Sequence, residues 1–285
     1  MFGFLNINKP KGITSHDVIS RLRRVTKIKQ IGHTGTLDPF AEGVLPICIG
    51  KATRLIEYLN DDKAYLATLQ FGTATDTYDI EGKVTKTSDN KITIDDIEAI
   101  LPKFRGEIEQ FPPIYSAIKI NGKKLYEYAR KNEEVKIASR KVIIDKLEIK
   151  DFNSEEKTLQ LYIECSKGTY IRSIANDIGE KTGNYAHLIK LIRTKAGDFD
   201  YNNSIKLENI LSIEDVKNNL LEPINYLNFP KYELSDFEKK LVSNGNSIKL
   251  TGDFENEKIL LTYQNKIAAI GEFLDSKISC QKVFL

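Results

Sequence analysis

The sequence predicts an α+β fold made of a large domain and a small one. Short apolar runs of strand length alternate irregularly with segments whose apolar residues recur every three or four positions, which is typical of strands mixed with helices. A polar stretch around residues 227–230 separates this region from a tail of mostly strand-like runs. We therefore expect one domain at residues 1–227 and a small, barrel-like β-rich domain at residues 228–285.

The predicted helices have apolar residues at helical spacing. The first is capped by Thr14 or Ser15, whose hydroxyl can accept a hydrogen bond from the first turn. In chain order, the predicted helices cover residues 15–25, 52–59, 93–101, 124–130, 171–178, 213–221 and 236–242. The helix that begins at Ile171 has an apolar stripe on one side, which predicts that it packs against the core.

The predicted strands are apolar throughout or alternate polar with apolar residues. In chain order, they cover residues 2–8, 44–49, 63–72, 115–120, 142–152, 158–165, 247–250, 258–263 and 266–271, and an apolar run at 188–192 leads toward a further strand. Glycine, proline and polar residues predict loops at 32–39 and 72–82. Asn121-Gly122 is a strong turn signal, although the residues after it look helical.

The composition is that of a soluble globular protein. Of the 285 residues, 41% are hydrophobic and 29% are charged, and no apolar run approaches the ~20 residues of a membrane span. The amino terminus lacks the charged start of a secretory signal. We expect a cytoplasmic protein.

Cysteine and histidine give no sign of a disulfide framework or a metal site. Cys48, Cys165 and Cys280 are far apart, the three histidines are scattered, and there is neither a CxxC pair nor an HExxH motif. A Walker loop and a glycine-rich nucleotide fingerprint are also missing from the sequence. We expect no metal and no organic cofactor.

The distribution of charge is more informative than the net charge of +2. Residues 1–60 contain nine Lys or Arg and four acidic residues, an excess of five positive charges. This excess flanks residues 32–39, as a phosphate-contacting surface would, although a basic run is as often a solvated helix face.

Asp38 is the most conspicuous chemical group. It is the single carboxylate in the loop Gly32-His33-Thr34-Gly35-Thr36-Leu37-Asp38-Pro39, within the basic region. Asp-Pro often does no more than start a turn. A carboxylate in such a place can also act as a nucleophile toward an electrophilic sugar or base carbon. A neighbouring cation would favour its charged form, and Arg54 is the first candidate.

For the other candidate residues, the sequence allows either a structural or a substrate-binding role. Tyr65 and Tyr170 stand at element boundaries, where a tyrosine either packs half-buried with its hydroxyl in water or offers a stacking platform for an unstacked base. Leu191 fits a core position better than a substrate contact. His33 either satisfies the loop backbone or props open a nucleic acid structure. Periodicity does not separate these options.

Four motifs in this order resemble the bacterial tRNA pseudouridine synthase B family. They are Asn8-Lys9-Pro10-Lys11-Gly12-Ile13-Thr14-Ser15, the Asp38 loop with Gly43-Val44-Leu45-Pro46-Ile47 after it, Gly122-Lys123-Lys124-Leu125-Tyr126-Glu127-Tyr128-Ala129-Arg130, and Cys165-Ser166-Lys167-Gly168-Thr169-Tyr170-Ile171-Arg172. The resemblance covers residues 1 to about 225 and implies the pseudouridine synthase fold, a central mixed, mainly antiparallel sheet flanked by helices. The tail is similar only loosely to the family's small RNA-binding (PUA-like) domain.

The resemblance implies an enzyme that isomerises uridine to pseudouridine at position 55 in the T loop of tRNA, without a cofactor. The target base must leave the folded RNA and enter a pocket before its glycosidic bond can be broken. Asp38 matches the family's nucleophilic aspartate. The resemblance leaves open whether Asp38 attacks the sugar, attacks the base or assists elimination to a glycal.

The resemblance also implies a set of substrate-binding residues. These are His33, Arg54, Tyr65, Tyr170, Arg172 and Leu191. His33 matches the histidine that fills the space left by the base, Tyr65 matches the tyrosine that stacks on it, and Arg54 matches a basic position near the nucleophile. Tyr170, Arg172 and Leu191 match positions that line the pocket. Arg172 is the implied ion-pair partner of Asp38.

Two alternatives remain open at this point. One is a guide-RNA-dependent pseudouridine synthase of the archaeal and eukaryotic kind, with the same fold. The other is an RNA-binding or RNA-folding protein with secondary catalysis, which the basic amino-terminal region and the β-rich tail would serve. The expected partner is the T-arm stem-loop of tRNA without guide RNA or membrane, and a monomer is the default.

Overall fold

The structure, a computed structural model, describes residues 1–131, 133–249, 258–274 and 276–285. In chain order its helices are α1 Ser15–Thr26, α2 Ile94–Ile100, α3 Leu125–Arg130, α4 Ile171–Lys181, α5 Ile213–Asn218 and α6 Asp236–Ser243. Short 3-10 helices lie at Gly50–Tyr58, Leu101–Phe104, Tyr201–Asn203, Leu207–Asn209 and Pro223–Tyr226. In the described part of the chain, no helix is long and apolar enough to cross a membrane.

The strands fall into a larger amino-terminal set and a smaller carboxy-terminal one. The first set is β1 Gly3–Lys9, β2 Ile31–His33, β3 Glu42–Ile49, β4 Lys63–Phe71, β5 Thr73–Thr75, β6 Val84–Thr87, β7 Gly106–Gln110, β8 Lys119–Ile120, β9 Lys123–Lys124, β10 Arg140–Asn153, β11 Thr158–Cys165, β12 Ala186–Ala196, β13 Phe199–Asp200 and β14 Ile205–Lys206. The second set is β15 Lys231–Glu233, β16 Ile248–Lys249, β17 Lys258–Tyr263, β18 Lys266–Leu274 and β19 Lys277–Val283.

Ten strands of the first set build one large sheet of mixed direction, while β5 pairs with β6 and β8 with β9 in two small sheets. The strand order of the large sheet is β14-β1-β3-β12-β4-β11-β10-β7, with β2 paired to β3 and β13 paired to β12. The β1–β14 and β3–β12 pairs are parallel, whereas the other pairs of this sheet are antiparallel. This confirms the expected mixed, mainly antiparallel sheet.

Helices cover the sheet with their apolar faces. In α4, Ile174 and Ile178 are buried in one cluster with Leu69 of β4 and Leu161 of β11. Each such side chain contributes roughly 1.5–3 kcal/mol when it is fully buried. Helix α1 packs Val18, Ile19 and Leu22 into a second cluster with residues of β1 and β3, and Thr14 caps it through a reciprocal hydrogen-bond pair with Asp17. These contacts bring the amino ends of α1 and α4 to the part of the sheet where β3, β12 and β4 are neighbours.

The carboxy-terminal strands form a separate five-stranded sheet in the order β15-β17-β18-β19-β16. This agrees with the expected small β-rich domain. Ile259 and Leu261 of β17 pack with Val242 of α6, while Leu260 and Phe284 belong to a cluster shared with the large sheet. Of the predicted strand 247–250, the last residue lies outside the described residues.

Several predictions of secondary structure were wrong in part. Residues 73–75 of the loop predicted at 72–82 form β5, which pairs with β6, and the helix predicted at 52–59 is the 3-10 helix Gly50–Tyr58. Gly32 and His33, the first residues of the loop predicted at 32–39, belong to strand β2, because their backbone pairs with β3. The strand predicted at 115–120 is reduced to β8, which forms a small hairpin with β9. Asn121 and Gly122 have φ values of 51° and 80°, as a two-residue hairpin turn requires.

Candidate active site

A cavity of about 480 Å³ lies between the Asp38 loop, strands β4 and β12, helix α3 and the amino end of α4. Its volume is within the range of small-molecule sites. The sequence-predicted residues that line it are Asp38, Tyr65, Tyr170, Arg172 and Leu191. Tyr115 and Tyr126 add two aromatic side chains from the α3 side.

The Asp38 loop is held by short polar contacts on both sides of the carboxylate. Ser15, the first residue of α1, accepts a hydrogen bond from the N–H of Leu37 at 2.8 Å and donates one to its carbonyl oxygen at 3.0 Å. The N–H of Gly12 donates to the carbonyl oxygen of Pro39 at 2.8 Å. Asp38 itself is partly exposed to the cavity. The loop therefore presents one carboxylate from a backbone that is anchored to α1 and β1.

Lys9 reinforces this anchoring from inside the protein. Its side chain is fully buried, and its ammonium group donates to the carbonyl oxygens of Pro10 at 2.9 Å, Ile13 at 2.7 Å and Pro39 at 3.4 Å. Burial lowers the pKa of Lys9 to about 8, and the charge of Asp38 opposes this change. Lys9 thus holds the end of β1 and the residue after Asp38 together.

Arg193 holds the other half of the loop. In β12 it is fully buried, and its guanidinium donates to the carbonyl oxygens of Val44 at 2.6 Å, Gly35 at 3.1 Å and Thr36 at 3.3 Å. Its backbone lies against Gly43, whose φ is +109° and where a Cβ atom would overlap the carbonyl oxygen of Arg193. Within the described residues, no carboxylate forms an ion pair with Arg193, and its charge is met by these backbone carbonyls and by the side chain of Tyr65.

The strand register places two predicted residues beside Arg193. Tyr65 of β4 is paired directly with Arg193, and Leu191 lies two residues earlier in β12, on the same face. Tyr65 is 6% exposed, and burial raises the pKa of its hydroxyl to about 12. The phenol is therefore protonated at neutral pH. Tyr65 and Leu191 form an aromatic and an aliphatic wall of the cavity.

Arg172 connects two carboxylates. Its Nε atom lies 2.9 Å from Oδ2 of Asp38, and its Nη1 atom lies 3.6 Å from Oδ2 of Asp79. The Nε–H bond is not aligned with Asp38, so this contact is an ion pair rather than a hydrogen bond. The guanidinium also donates to the carbonyl oxygens of Thr77 at 3.0 Å and Tyr115 at 3.1 Å. Because Arg172 is only 4% exposed, its position is fixed.

The carboxylate of Asp79, like the guanidinium of Arg172, is fixed by several polar contacts. Its Oδ1 atom accepts hydrogen bonds from the hydroxyl of Thr77 at 2.6 Å and the N–H of Glu81 at 3.0 Å. Burial raises the pKa of Asp79, and the hydrogen bond from Thr77 and the charge of Arg172 oppose this change. The result is a row of charges, Asp38, Arg172 and Asp79, that runs from the cavity into the protein.

Tyr170 is fixed by a neighbouring strand. The buried carboxamide of Gln110 accepts from the N–H of Tyr170 at 2.7 Å and donates to its carbonyl oxygen at 3.0 Å. The guanidinium of Arg140 lies 4.6 Å from the centre of the Tyr170 ring, a cation–π distance. Gln110 thereby fixes the residue that precedes α4, two positions before Arg172.

Comparison with known proteins identifies the family. Residues 23–171 match the family described as TruB family pseudouridylate synthase (N terminal domain), and residues 172–227 match the tRNA pseudouridylate synthase B C-terminal domain. The chain belongs to the TruB family. The matched residues include Asp38, Tyr65, Arg172 and Leu191, which meet at the cavity.

Relatives within the TruB family are similar over almost their whole length. The tRNA pseudouridine synthase B of Carboxydothermus hydrogenoformans is 43% identical over 291 residues, covering 100% of this chain and 99% of that protein. The tRNA pseudouridine synthase B of Caldanaerobacter subterraneus subsp. tengcongensis is 43% identical over 271 residues, covering 94% and 93%. A chain of an H/ACA RNP bound to a substrate RNA containing 2′-deoxyuridine has a TM-score of 0.73 at 22% identity, covering 100% of this chain and 85% of that one, which shows the shared fold.

Arg54 is not at the TruB cavity, contrary to the expectation that it lies beside Asp38. It is exposed on the 3-10 helix at 50–58, where its Nη1 atom donates to the carbonyl oxygen of Val283 at 2.9 Å and its guanidinium lies 5.3 Å from the Phe284 ring. Closeness in sequence misled the prediction, because β3 carries the chain away from the loop before this helix begins.

His33 lies next to the cavity without lining it. It is the last residue of β2, paired with Ile47, and Thr34 after it is the first residue of the loop to reach the cavity wall. Burial lowers the pKa of His33, and the charge of Arg193 contributes in the same direction. The imidazole is therefore neutral at physiological pH.

Sequence reasoning missed several residues of this TruB site. Arg193 had a usable signal, because a charged residue within the apolar run 188–192 and its continuation must find buried partners. Asp79 had no such signal, since it lies in a polar stretch that looks like a solvated loop. In the described part of the chain, no group of three His, Cys, Asp or Glu side chains is arranged to hold a metal ion.

Proposed function

We propose that this chain isomerises uridine to pseudouridine at position 55 in the T loop of tRNA, with Asp38 as the nucleophile. Membership of the TruB family makes it a pseudouridylate synthase, and its full-length relatives are tRNA pseudouridine synthases B. One observation carries the residue assignment: Arg172 pairs at 2.9 Å with Asp38, the single carboxylate that lines the cavity in the described residues.

The proposed reaction is balanced without a co-reactant. The bond between N1 of the base and C1′ of the ribose breaks, and a bond between C5 and C1′ forms. The proton lost from C5 is replaced by one gained at N1, so substrate and product are isomers. The protein must therefore supply a nucleophile, a place in which the base can turn, and groups that move protons.

Asp38 and Arg172 supply the first requirement. The carboxylate of Asp38 can add to C1′ or to the base, or can assist elimination to a glycal, and each route needs it beside the same nucleoside. Arg172 fixes the direction of the carboxylate, and Asp79 pairs with the opposite side of the guanidinium. Positioning of this kind lowers the barrier by removing the need to align the groups during reaction.

The remaining walls supply a place for the base. Flipping a uridine out of the T loop costs a few kcal/mol, which stacking on an aromatic ring can offset. Tyr65 offers that ring, Leu191 offers an apolar surface beside it, and Tyr170 borders the cavity at the start of α4. Since the Tyr65 hydroxyl is protonated at neutral pH, we assign it to stacking rather than to proton abstraction.

We further propose that the chain acts as a monomer in the cytoplasm on the T-arm stem-loop, without guide RNA. The relatives that support this are named for tRNA, whereas the likeness to an H/ACA chain concerns the fold. Modification of an isolated T-arm stem-loop, with no other RNA present, tests this point. A strict requirement for a second RNA would overturn it.

The proposed function is tested by replacing Asp38 with Asn, which keeps shape and hydrogen bonding but removes the nucleophile. We expect no pseudouridine in T-arm RNA after long incubation, measured by mass spectrometry of nucleosides after chemical labelling, while the RNA still binds. Asp89→Asn, at an exposed carboxylate far along the chain, is the matched control and should leave the reaction unchanged. Appreciable product with Asp38→Asn would refute the assignment.

A further inference from the structure

One side of the cavity carries two lysines that the mechanism above does not use. Lys63, the first residue of β4, and Lys167, in the turn before α4, both line the cavity. Asp61 contacts both lysines. The Lys63 ammonium donates to its carbonyl oxygen at 2.6 Å, and the Lys167 ammonium lies 2.8 Å from its Oδ2 atom. We call Lys63 and Lys167 the lysine pair.

The lysine pair has one carboxylate at ion-pair distance in the described residues. Asp61 provides one carboxylate, which pairs with Lys167, and no carboxylate in the described residues is within ion-pair distance of Lys63. Lys63 is partly buried, and its pKa is lowered by burial first and by the charge of Arg193 second. The charges of Asp61 and Asp62 oppose this lowering without reaching ion-pair distance, so the partly desolvated ammonium group of Lys63 has no direct ion-pair partner in the described residues and can take an anion from the cavity.

The local backbone leaves the lysine pair accessible from the cavity. Gly35 faces Lys63 so closely that a Cβ atom there would lie 3.4 Å from Cε of the lysine, and the glycine leaves that space free. The side chain of Lys167 is 75% exposed and is followed by Gly168, whose φ is +82°. Arg140 adds a third cation at this rim through its hydrogen bond to the carbonyl oxygen of Gly168.

We propose that the lysine pair is a phosphate subsite that binds one backbone phosphate adjacent to the flipped uridine. The proposal rests on the proposed function, because it takes the RNA strand to enter this cavity. A base placed against Tyr65 with its ribose at Asp38 leaves its flanking phosphates at the rim, where Lys63 and Lys167 lie. Arg172 cannot take this role, because Asp38 and Asp79 already engage it. Phosphates are the charged groups that RNA presents to proteins.

The subsite is tested by a double-substitution cycle between protein and RNA. The T-arm stem-loop is prepared with natural phosphates, or with a single uncharged methylphosphonate on the 5′ or the 3′ side of the target uridine. Binding of each RNA to the full chain is measured as Kd at several salt concentrations. For the natural RNA, Lys167→Met should weaken binding several-fold and reduce the slope of log K against log salt by about 0.7 to 0.9, the effect of one phosphate contact.

The cycle identifies the contact itself. One of the two methylphosphonates should weaken binding to the wild-type chain by a similar factor, but should have little further effect on Lys167→Met or Lys63→Met. Lys63→Arg keeps the charge and should retain the sensitivity to that methylphosphonate, which separates loss of a contact from damage to the fold. Lys217→Met, which removes an exposed lysine ion-paired to Glu214 on α5, is the matched control and should behave as wild type.

Two results would overturn the subsite. One is that both methylphosphonates weaken the wild type and the lysine variants by equal factors, so that the effects are additive. The other is an unchanged salt slope in Lys167→Met. If the wild-type chain binds and modifies the natural stem-loop while the cycle is additive, the subsite fails and the proposed function stands. If the wild type neither binds nor modifies the stem-loop, both proposals fail.

Discussion

The Nε atom of Arg172 lies 2.9 Å from Oδ2 of Asp38, and this contact joins the first turn of α4 to the loop before β3. The two residues are far apart in sequence, yet each is anchored independently: the loop by buried hydrogen bonds, the arginine by two carbonyl oxygens and a second carboxylate. The direction of the carboxylate is therefore determined by the packing of α4 on the sheet.

Replacing Arg172 with Lys should reduce the single-turnover rate on the order of 100-fold, the scale of loss when a reacting group is misplaced by about 1 Å. A lysine keeps the charge but cannot contact Asp38, Thr77 and Tyr115 at once, because it lacks the planar fork. Rapid-quench measurement of pseudouridine at saturating enzyme gives this rate. Arg105→Lys, at an arginine that donates to the carbonyl oxygen of Leu147 outside the cavity, is the control. A loss below about threefold would show that the guanidinium geometry is dispensable.

Lys9 predicts a pH dependence of stability. Its pKa is about 8 in the folded protein and 10.5 ordinarily, so between these pH values the unfolded chain binds a proton that the folded chain does not. The free energy of unfolding should therefore rise with pH across this window, by up to about 3 kcal/mol.

This contribution is isolated by comparison with Lys9→Met. Denaturant unfolding of both proteins at pH 7.5 and pH 10 should show a smaller increase for the variant, since other groups, including Lys63 with its lowered pKa, are common to both. An equal increase in the two proteins would mean that the Lys9 ammonium is not held in a costly environment.

Removing Arg193 should destabilise the fold and the loop together. Arg193→Met leaves the carbonyl oxygens of Gly35, Thr36 and Val44 without their buried donor, and about 3 kcal/mol of unfolding free energy should be lost. The midpoint of urea unfolding measures this loss. Lys195→Met, two residues later in β12 and exposed, should stay within about 0.5 kcal/mol of wild type. If Arg193→Met were as stable as Lys195→Met, the hydrogen bonds from the guanidinium to the three carbonyl oxygens would not contribute to stability.

Arg54→Ala tests the corrected position of Arg54. Because this side chain contacts Val283 and Phe284 and does not line the cavity, the substitution should lower stability by about 1 kcal/mol and leave the single-turnover rate on the T-arm stem-loop within twofold. Differential scanning calorimetry and the rapid-quench assay measure the two effects. A rate loss comparable to that of Arg172→Lys would contradict this position and indicate that Arg54 acts near Asp38.

Local patterns predicted most of the elements because their causes are local. Helix α1 is specified by an apolar stripe and a capping threonine, and α4 by the stripe that begins at Ile171. Where the outcome depended on a distant strand, prediction failed. Residues 31–33 form β2 because β3 supplies hydrogen-bond partners for their backbone. Neither the glycine nor the histidine of this segment favours a strand, so the local sequence does not predict it.

The sequence by itself determined that the fold is α+β and predicted a loop that presents Asp38, because glycine, proline and hydrophobic periodicity act over a few residues. The ordered motifs that resemble the TruB family pointed to Tyr65, Tyr170, Arg172 and Leu191 as its companions. Only the tertiary structure decided which cations serve the loop. Arg193 and Lys9 meet it through contacts made across the sheet, whereas Arg54, the nearest arginine after it in sequence, is carried away by β3. Charges interact through space, and the distances that decide their partners exist only after the strands have paired.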